Sequence, residues 1–155
     1  MRGSVDLTGR QSSRLRLMGF LDGFFKKAEK SDSLEALKAK VEASPSDARI
    51  AQDVANQLKA LGRISEAQDY ARRGAQAHMN AGFATKAVAV LKGAAGWGNP
   101  SMDLLQDLAN VLLQLKHKED ARGTLLQLRK LHMNAGNKTE LGRIDAQLTE
   151  LGPSR

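Results

Sequence analysis

The sequence predicts an all-α fold, a solenoid in which short helices stack on one another. Three observations support this prediction. Aromatic residues make up only 4% of the 155 residues, whereas helix formers such as Ala, Leu, Gln and Lys are abundant. Apolar residues recur at helical spacing along most of the chain, and no alternating strand pattern competes with them. Finally, a set of short motifs recurs after 54 residues, as is typical of repeat proteins.

The N-terminal part of the chain contains two predicted segments. Residues 1–17 show no hydrophobic periodicity, and we interpret them as a disordered leader. Residues 18–30 are predicted to form an amphipathic helix with lysines opposite an apolar face that carries Phe20, Leu21, Phe24 and Phe25. This helix is suited to capping the first repeat, to lying on an anionic membrane surface or to docking into a groove of another protein.

Residues 31–152 form the predicted repeat domain, and residues 153–155 form a short tail. Glycine or proline follows nearly every helical pattern, as expected at helix C-termini. Ser31 or Ser33 caps the first predicted helix of this domain, which ends near Ala43. Further helices are predicted over residues 47–61, 65–80, 85–95, 101–115, 118–134 and 139–151. Together with the N-terminal helix, this gives about seven to eight helices.

The internal duplication defines the repeating unit. The motif Gln-Asp-Val-Ala-Asn at 52–56 returns as Gln-Asp-Leu-Ala-Asn at 106–110, and His-Met-Asn-Ala-Gly at 78–82 returns unchanged at 132–136. Each copy spans three predicted helices. Because one such unit cannot bury its apolar faces alone, the two units are expected to stack.

The spacing of small and large apolar residues resembles that of tetratricopeptide repeats. Ala55 and Ala67 stand where that motif has its small residues, and Ala109 and Ala121 repeat the pattern. A second, overlapping register places Gly74 and Ala87 at comparable positions, so the repeat boundaries stay open. The resemblance, to bacterial tetratricopeptide adaptors in particular, covers about residues 34–151. It implies a short right-handed solenoid of helical hairpins.

This chain departs from the tetratricopeptide pattern at two places. Smaller residues replace the motif's Trp and Tyr, and Lys116 stands where a turn glycine is usual. The resemblance further implies that a partner segment binds on the concave face, and that the chain is not an enzyme. Amide side chains there both donate and accept hydrogen bonds, and can therefore pair with a peptide backbone.

The resemblance places a set of polar residues on the binding face. Arg72 and Arg73 are suited to an acidic residue of the partner, although the whole set also fits the solvated side of amphipathic helices. The implied partner-binding residues are Gln52, Asn56, Lys59, Arg72, Arg73, Gln76, Asn80, Gln106, Asn110, Lys130 and Asn134.

Composition excludes several kinds of site. The chain has no cysteine, which excludes disulfides and thiolate metal sites, and its three histidines do not indicate a metal site. We interpret His78 and His132, each in the last turn of a helix, as structural. No nucleophile–base pair or phosphate-binding glycine loop is visible. We therefore expect no catalytic residue, no metal and no cofactor.

The charge distribution narrows the class of partner. The net charge is +7, but residues 1–30 contain seven basic and three acidic residues and so account for +4 of it. The remaining charges are mixed, which does not favour nucleic acid. No apolar run is long enough to span a membrane. The sequence predicts a cytoplasmic protein-interaction adaptor, or alternatively a peripheral membrane or assembly adaptor anchored by residues 18–30. It leaves the partner and the oligomeric state open.

Overall fold

The structure is a computed structural model that describes residues 21–22 and 33–154. The chain divides into two compact units, Met1–Ala39 and Lys40–Arg155. In the first unit, residues 21–22 and 33–39 are helical, and Leu21 is 40% exposed. The predicted leader and the rest of the predicted helix 18–30, including its three phenylalanines, lie outside the described residues.

All regular elements of the described residues are α-helices, which confirms the predicted fold class. Helix α1 comprises residues 33–43. It is followed by α2 (Ala48–Ala60), α3 (Ile64–Asn80), α4 (Ala84–Ala95), α5 (Met102–Gln114), α6 (Lys118–Ala135) and α7 (Lys138–Leu151). The predicted helix ends agree closely with these bounds, because glycine, proline and capping residues mark them in the sequence.

Two of the capping residues expected from the sequence hold their helices as predicted. The Asp47 carboxylate accepts hydrogen bonds from the backbone N–H groups of Arg49 and Ile50 at the start of α2. The Ser101 hydroxyl accepts one from the backbone N–H of Leu104 at the start of α5. Both caps satisfy donors that a helix leaves unpaired in its first turn.

From α2 to α7, each helix packs on the next one along the chain, and α3 also contacts α5. The core follows from the composition. Alanines such as Ala55, Ala71 and Ala87 are buried where α2, α3 and α4 meet, together with Leu91. A second cluster, of Leu105, Ala109, Leu125, Leu128 and Ile144, joins α5, α6 and α7. Because α5 contributes to both clusters, its exposed residues form only a narrow polar strip.

One buried polar side chain of α3 holds the connection between α4 and α5. Gln68 of α3 is 1% exposed. Its amide nitrogen donates to the carbonyls of Ala94 and Asn99, and its amide oxygen accepts from the backbone N–H of Ser101. Gln68 therefore fixes the end of α4 to the start of α5. At the equivalent place of the second unit, 54 residues on, Arg122 donates to the carbonyl of Gly152 at the end of α7.

The turn after α5 contains a residue with unfavourable backbone geometry. Lys116 has φ +59°, and its repeat equivalent Gly62 has φ +75°, so both adopt the left-handed conformation. This conformation is strained for a residue with a Cβ atom, whereas glycine adopts it without strain. We predict that Lys116→Gly raises the free energy of unfolding by about 0.5–1 kcal/mol in urea denaturation, and that Gly62→Lys lowers it by a similar amount. A destabilised Lys116→Gly variant would contradict this explanation.

Candidate functional site

The helices of the second unit form clefts on two layers. Residues of α2 and α4 flank one cleft, at whose floor lies Ala71 of α3. Residues of α3 and α5 flank another, at whose floor lies Leu91 of α4. A third cleft lies between α5 and α7. We call them the α2–α4, α3–α5 and α5–α7 clefts. Their linings place α3, α5 and α7 in one layer and α2 and α4 in the other.

The α3–α5 cleft combines polar walls with an apolar floor. Arg72, Gln76 and Met79 line it from α3, and Asp107, Asn110, Val111 and Gln114 line it from α5. Its volume is about 140 Å³. Such a cleft is too small for a drug-sized ligand but suits single side chains of an extended segment. The sequence predicted Arg72, Gln76 and Asn110 as binding residues, and the structure brings these three together here.

Two identical amide pairs lie on α3 and α5. The side-chain nitrogen of Gln76 donates to the Asn80 carbonyl oxygen at 2.9 Å, and that of Gln106 donates to the Asn110 carbonyl oxygen at 2.9 Å. Each pair spans one helical turn and leaves the asparagine amide N–H groups available. The pairs hold their side chains in place, which reduces the entropy that a bound segment would otherwise have to overcome.

The α5–α7 cleft continues the polar row across the same layer. Gln106 and Asn110 line it from α5, while Glu140, Arg143 and Gln147 line it from α7. Its volume is about 420 Å³, the largest of the three clefts described here. Asn110 lines both this cleft and the α3–α5 cleft. A partner segment that occupies both clefts would therefore contact Asn110 where it crosses α5.

The α2–α4 cleft holds the remaining duplicated amides. Gln52 and Asn56 line it from α2, and Val90 and Gly93 line it from α4. Gln52 also lies 2.9 Å from the Nε2 atom of His78, so this histidine links α2 to α3. The Lys59 ammonium stands 5.0 Å from the centre of the Trp97 ring, which forms one wall of the cleft. Residues Gln52 and Asn56 are therefore separated from their repeat equivalents Gln106 and Asn110.

Both arginines of α3 are already paired with carboxylates of the same chain. Arg72 lies 2.6 Å from Asp107 and 3.3 Å from Asp103, both on α5. Arg73 pairs with Glu42 and lies over the Tyr70 ring. The hydrogen bond with Glu42 raises the pKa of Arg73 above its ordinary value. The positive charges expected to hold an acidic partner residue are thus balanced internally.

Five of the predicted binding residues are not among those that line the three clefts, namely Lys59, Arg73, Asn80, Lys130 and Asn134. Lys130 and Asn134 are exposed on α6 and line none of the three clefts described above. His132, whose role the sequence interprets as structural, is 8% exposed, and its Nδ1 atom lies 3.1 Å from the Asn137 amide nitrogen.

Several cleft residues were not predicted from the sequence. Asp107 lies inside the duplicated motif, but its ion pair with Arg72 depends on the contact between α3 and α5. Gln147 and Arg143 of α7 belong to no motif, and only the position of α7 brings them to the cleft. Trp97 could be recognised as unusual because it is the only tryptophan. Its position beside α2 could not be predicted from the sequence.

Neither a metal site nor a membrane-spanning helix is found among the described residues. Among residues 21–22 and 33–154, no group of three or more His, Asp or Glu side chains is placed to hold a metal ion. None of the helices in this part of the chain combines the length and the apolar character needed to cross a membrane.

Comparisons with known proteins find similarity among solved structures only. No protein-family model matches the chain, and no curated protein matches it. Among solved structures, the chain is similar to YrrB, a tetratricopeptide protein with an unusual peptide-binding site. The sequence identity is 19% and the TM-score 0.38, and the match covers 77% of this chain and 76% of YrrB. Because this TM-score is low, the fold is described from the helix packing of the chain itself.

Proposed function

We propose that this chain is a non-catalytic scaffold that binds an extended segment of a partner protein across the α3–α5 and α5–α7 clefts. The observation that carries the proposal is the row of amide side chains shared by these clefts, with Asn110 lining both. Extended peptides present unpaired backbone N–H and C=O groups. Amides can satisfy both kinds of group, and so offset the cost of removing them from water.

The charges around the α3–α5 cleft favour a neutral or basic segment. Arg72 lies within 4 Å of three carboxylates, those of Asp69, Asp103 and Asp107. Asp103 is 76% exposed and so can meet a cation of the partner. Helix α5 itself carries two aspartates and no basic residue. An acidic segment would add a further negative charge here, at an energetic cost that grows as water is excluded.

Replacing Asn110 tests this proposal, with Asn56 as a matched control. The two residues are repeat equivalents, both are exposed, and they lie at clefts of different layers. Partners are first captured on the full chain and identified by mass spectrometry. We then expect Asn110→Ala to weaken binding of the recovered segment about tenfold, or about 1.4 kcal/mol, in calorimetric titrations. Asn56→Ala should bind that segment as the wild type does.

The opposite pattern would overturn the proposal. A partner that binds Asn110→Ala unchanged does not use the α3–α5 and α5–α7 clefts. Because alanine is the better helix former, neither substitution is expected to unfold its helix. A circular dichroism spectrum of each variant checks this point before binding is measured.

An anchoring role of residues 18–30 at a membrane or in an assembly is a second proposal. It is supported by the apolar face of the predicted helix, of which Leu21 is 40% exposed, and by its three lysines. Co-sedimentation with anionic liposomes of the full chain and of a chain that starts at Ser31 tests it. Equal binding by both would exclude an anchor in this segment. A cytoplasmic location stays a prediction from the sequence.

A further inference from the structure

The α2–α4 cleft has the composition of a pocket for one apolar side chain. Methyl groups of Ala55 and Ala71 line it, as do Val90 and the Trp97 ring, while Gln52 and Asn56 add amides. Its volume is about 190 Å³. For comparison, an apolar protein cavity of roughly 150 Å³ takes up benzene. A leucine-sized side chain therefore fits, with the amides positioned for the backbone beside it.

A glycine in the last turn of α4 leaves this cleft open. Gly93 lines the cleft, and a Cβ atom added to it would meet nothing within 4 Å. Packing within the described residues thus does not require glycine at this position. Because Gly93 lines the cleft, a larger side chain at this position would project into the open space.

The charges of the α2–α4 layer are opposite to those of the α3–α5 cleft. Helix α4 carries Lys86 and Lys92 and no acidic residue. Helix α2 carries one acidic residue, Asp53, against two basic ones. Lys92 is neutralised by Asp120 at 2.6 Å. Lys59 stands over the Trp97 ring and makes no ion pair with another described residue. A cation at the rim of an apolar pocket favours a carboxylate next to the bound side chain.

We propose that the α2–α4 cleft is a second binding site, which takes a leucine-sized side chain adjacent to an aspartate or glutamate in an extended partner segment. The side chain fills the space between Val90 and Trp97, and its neighbouring carboxylate meets Lys59. Asn56 pairs with the backbone between them. This site is independent of the α3–α5 and α5–α7 clefts, so one chain can hold two segments of opposite charge and bring them together.

The only tryptophan of the chain makes the site directly observable, because Trp97 lines it. The probe is the blocked peptide acetyl-Gly-Leu-Asp-Gly-amide, titrated into the full chain up to millimolar concentration. We expect a saturable change in tryptophan fluorescence. Two control peptides separate the contributions. Replacing Leu with Gly should abolish the change, and replacing Asp with Lys should weaken binding about fivefold, the effect of about 1 kcal/mol from one exposed charge pair.

A variant of the pocket itself completes the test. Gly93→Leu places a side chain into the open space, and it should remove peptide binding while α4 becomes more stable, since leucine is a good helix former. Lys59→Gln should abolish the preference for Asp over Lys at the second peptide position. The absence of a saturable fluorescence change, or undiminished binding by Gly93→Leu, would overturn the proposal. Neither result bears on Asn110, whose test uses the other clefts.

Discussion

Replacing Gln68 with leucine is expected to lower the free energy of unfolding by about 3 kcal/mol. The leucine would fit the buried position in size but would leave two backbone groups without their partner, the carbonyl of Asn99 and the N–H of Ser101. The Ala94 carbonyl would lose one of its two hydrogen bonds and keep the one from the backbone N–H of Trp97. A buried polar group that loses its hydrogen bond costs about 1–3 kcal/mol, and the loop can recover part of this by reaching water. Urea denaturation followed by circular dichroism measures the change.

The exposed Gln127 of α6 is the matched control for this substitution. Gln127→Leu removes the same amide from a surface position, and its effect should stay within about 0.5 kcal/mol. Gln68→Leu should also weaken partner binding in the α3–α5 cleft, because Ser101 caps α5 and α5 forms one wall of that cleft. If Gln68→Leu is as stable as the wild type, the buried amide does not hold the α4–α5 connection.

Replacing Gly74 with leucine is expected to lower the free energy of unfolding by about 2–3 kcal/mol. A Cβ atom at Gly74 would lie 3.3 Å from the backbone oxygen of Ala48 and 3.4 Å from the Cγ atom of Gln52. The backbone cannot yield as a flexible side chain would. A larger residue must therefore push α2 away from α3, on which it packs directly.

Gly123 of α6 provides the control, since a Cβ atom there meets nothing within 4 Å. Gly123→Leu should raise the free energy of unfolding by about 0.5–1 kcal/mol, because it replaces a poor helix former on an open surface. Thermal and urea denaturation of both variants measure the contrast. Equal effects of the two substitutions would mean that α2 and α3 do not approach as closely as the structure describes.

The sequence was sufficient for the helices because their signals are local. Asp47, Ser101 and the glycines after the helices act within a few residues of themselves, and they marked the ends of α2, α3 and α5 almost to the residue. The duplication also revealed the three-helix period. Gln68 was missed, however, because its partners lie 26 to 33 residues away along the chain.

The candidate site was harder to predict because each copy of the duplication contains three helices, an odd number. Corresponding helices of the two copies therefore lie in different layers. Asn56 and Asn110 occupy the same place in the duplicated motif, yet they line clefts of different layers. Sequence similarity alone grouped them on one face. Likewise, Arg72 was predicted to suit an acidic residue of the partner, because nothing in the sequence places Asp107 beside it.

The central claim is that a partner segment lies along the amides of α3, α5 and α7, and nuclear magnetic resonance tests it most directly. Side-chain amide signals of ¹⁵N-labelled chain are recorded with and without the partner segment recovered by affinity capture. We predict that the signals of Gln76, Asn110 and Gln147 shift on binding. Unchanged signals at these three residues, with shifts at Asn134 on α6 instead, would contradict the account.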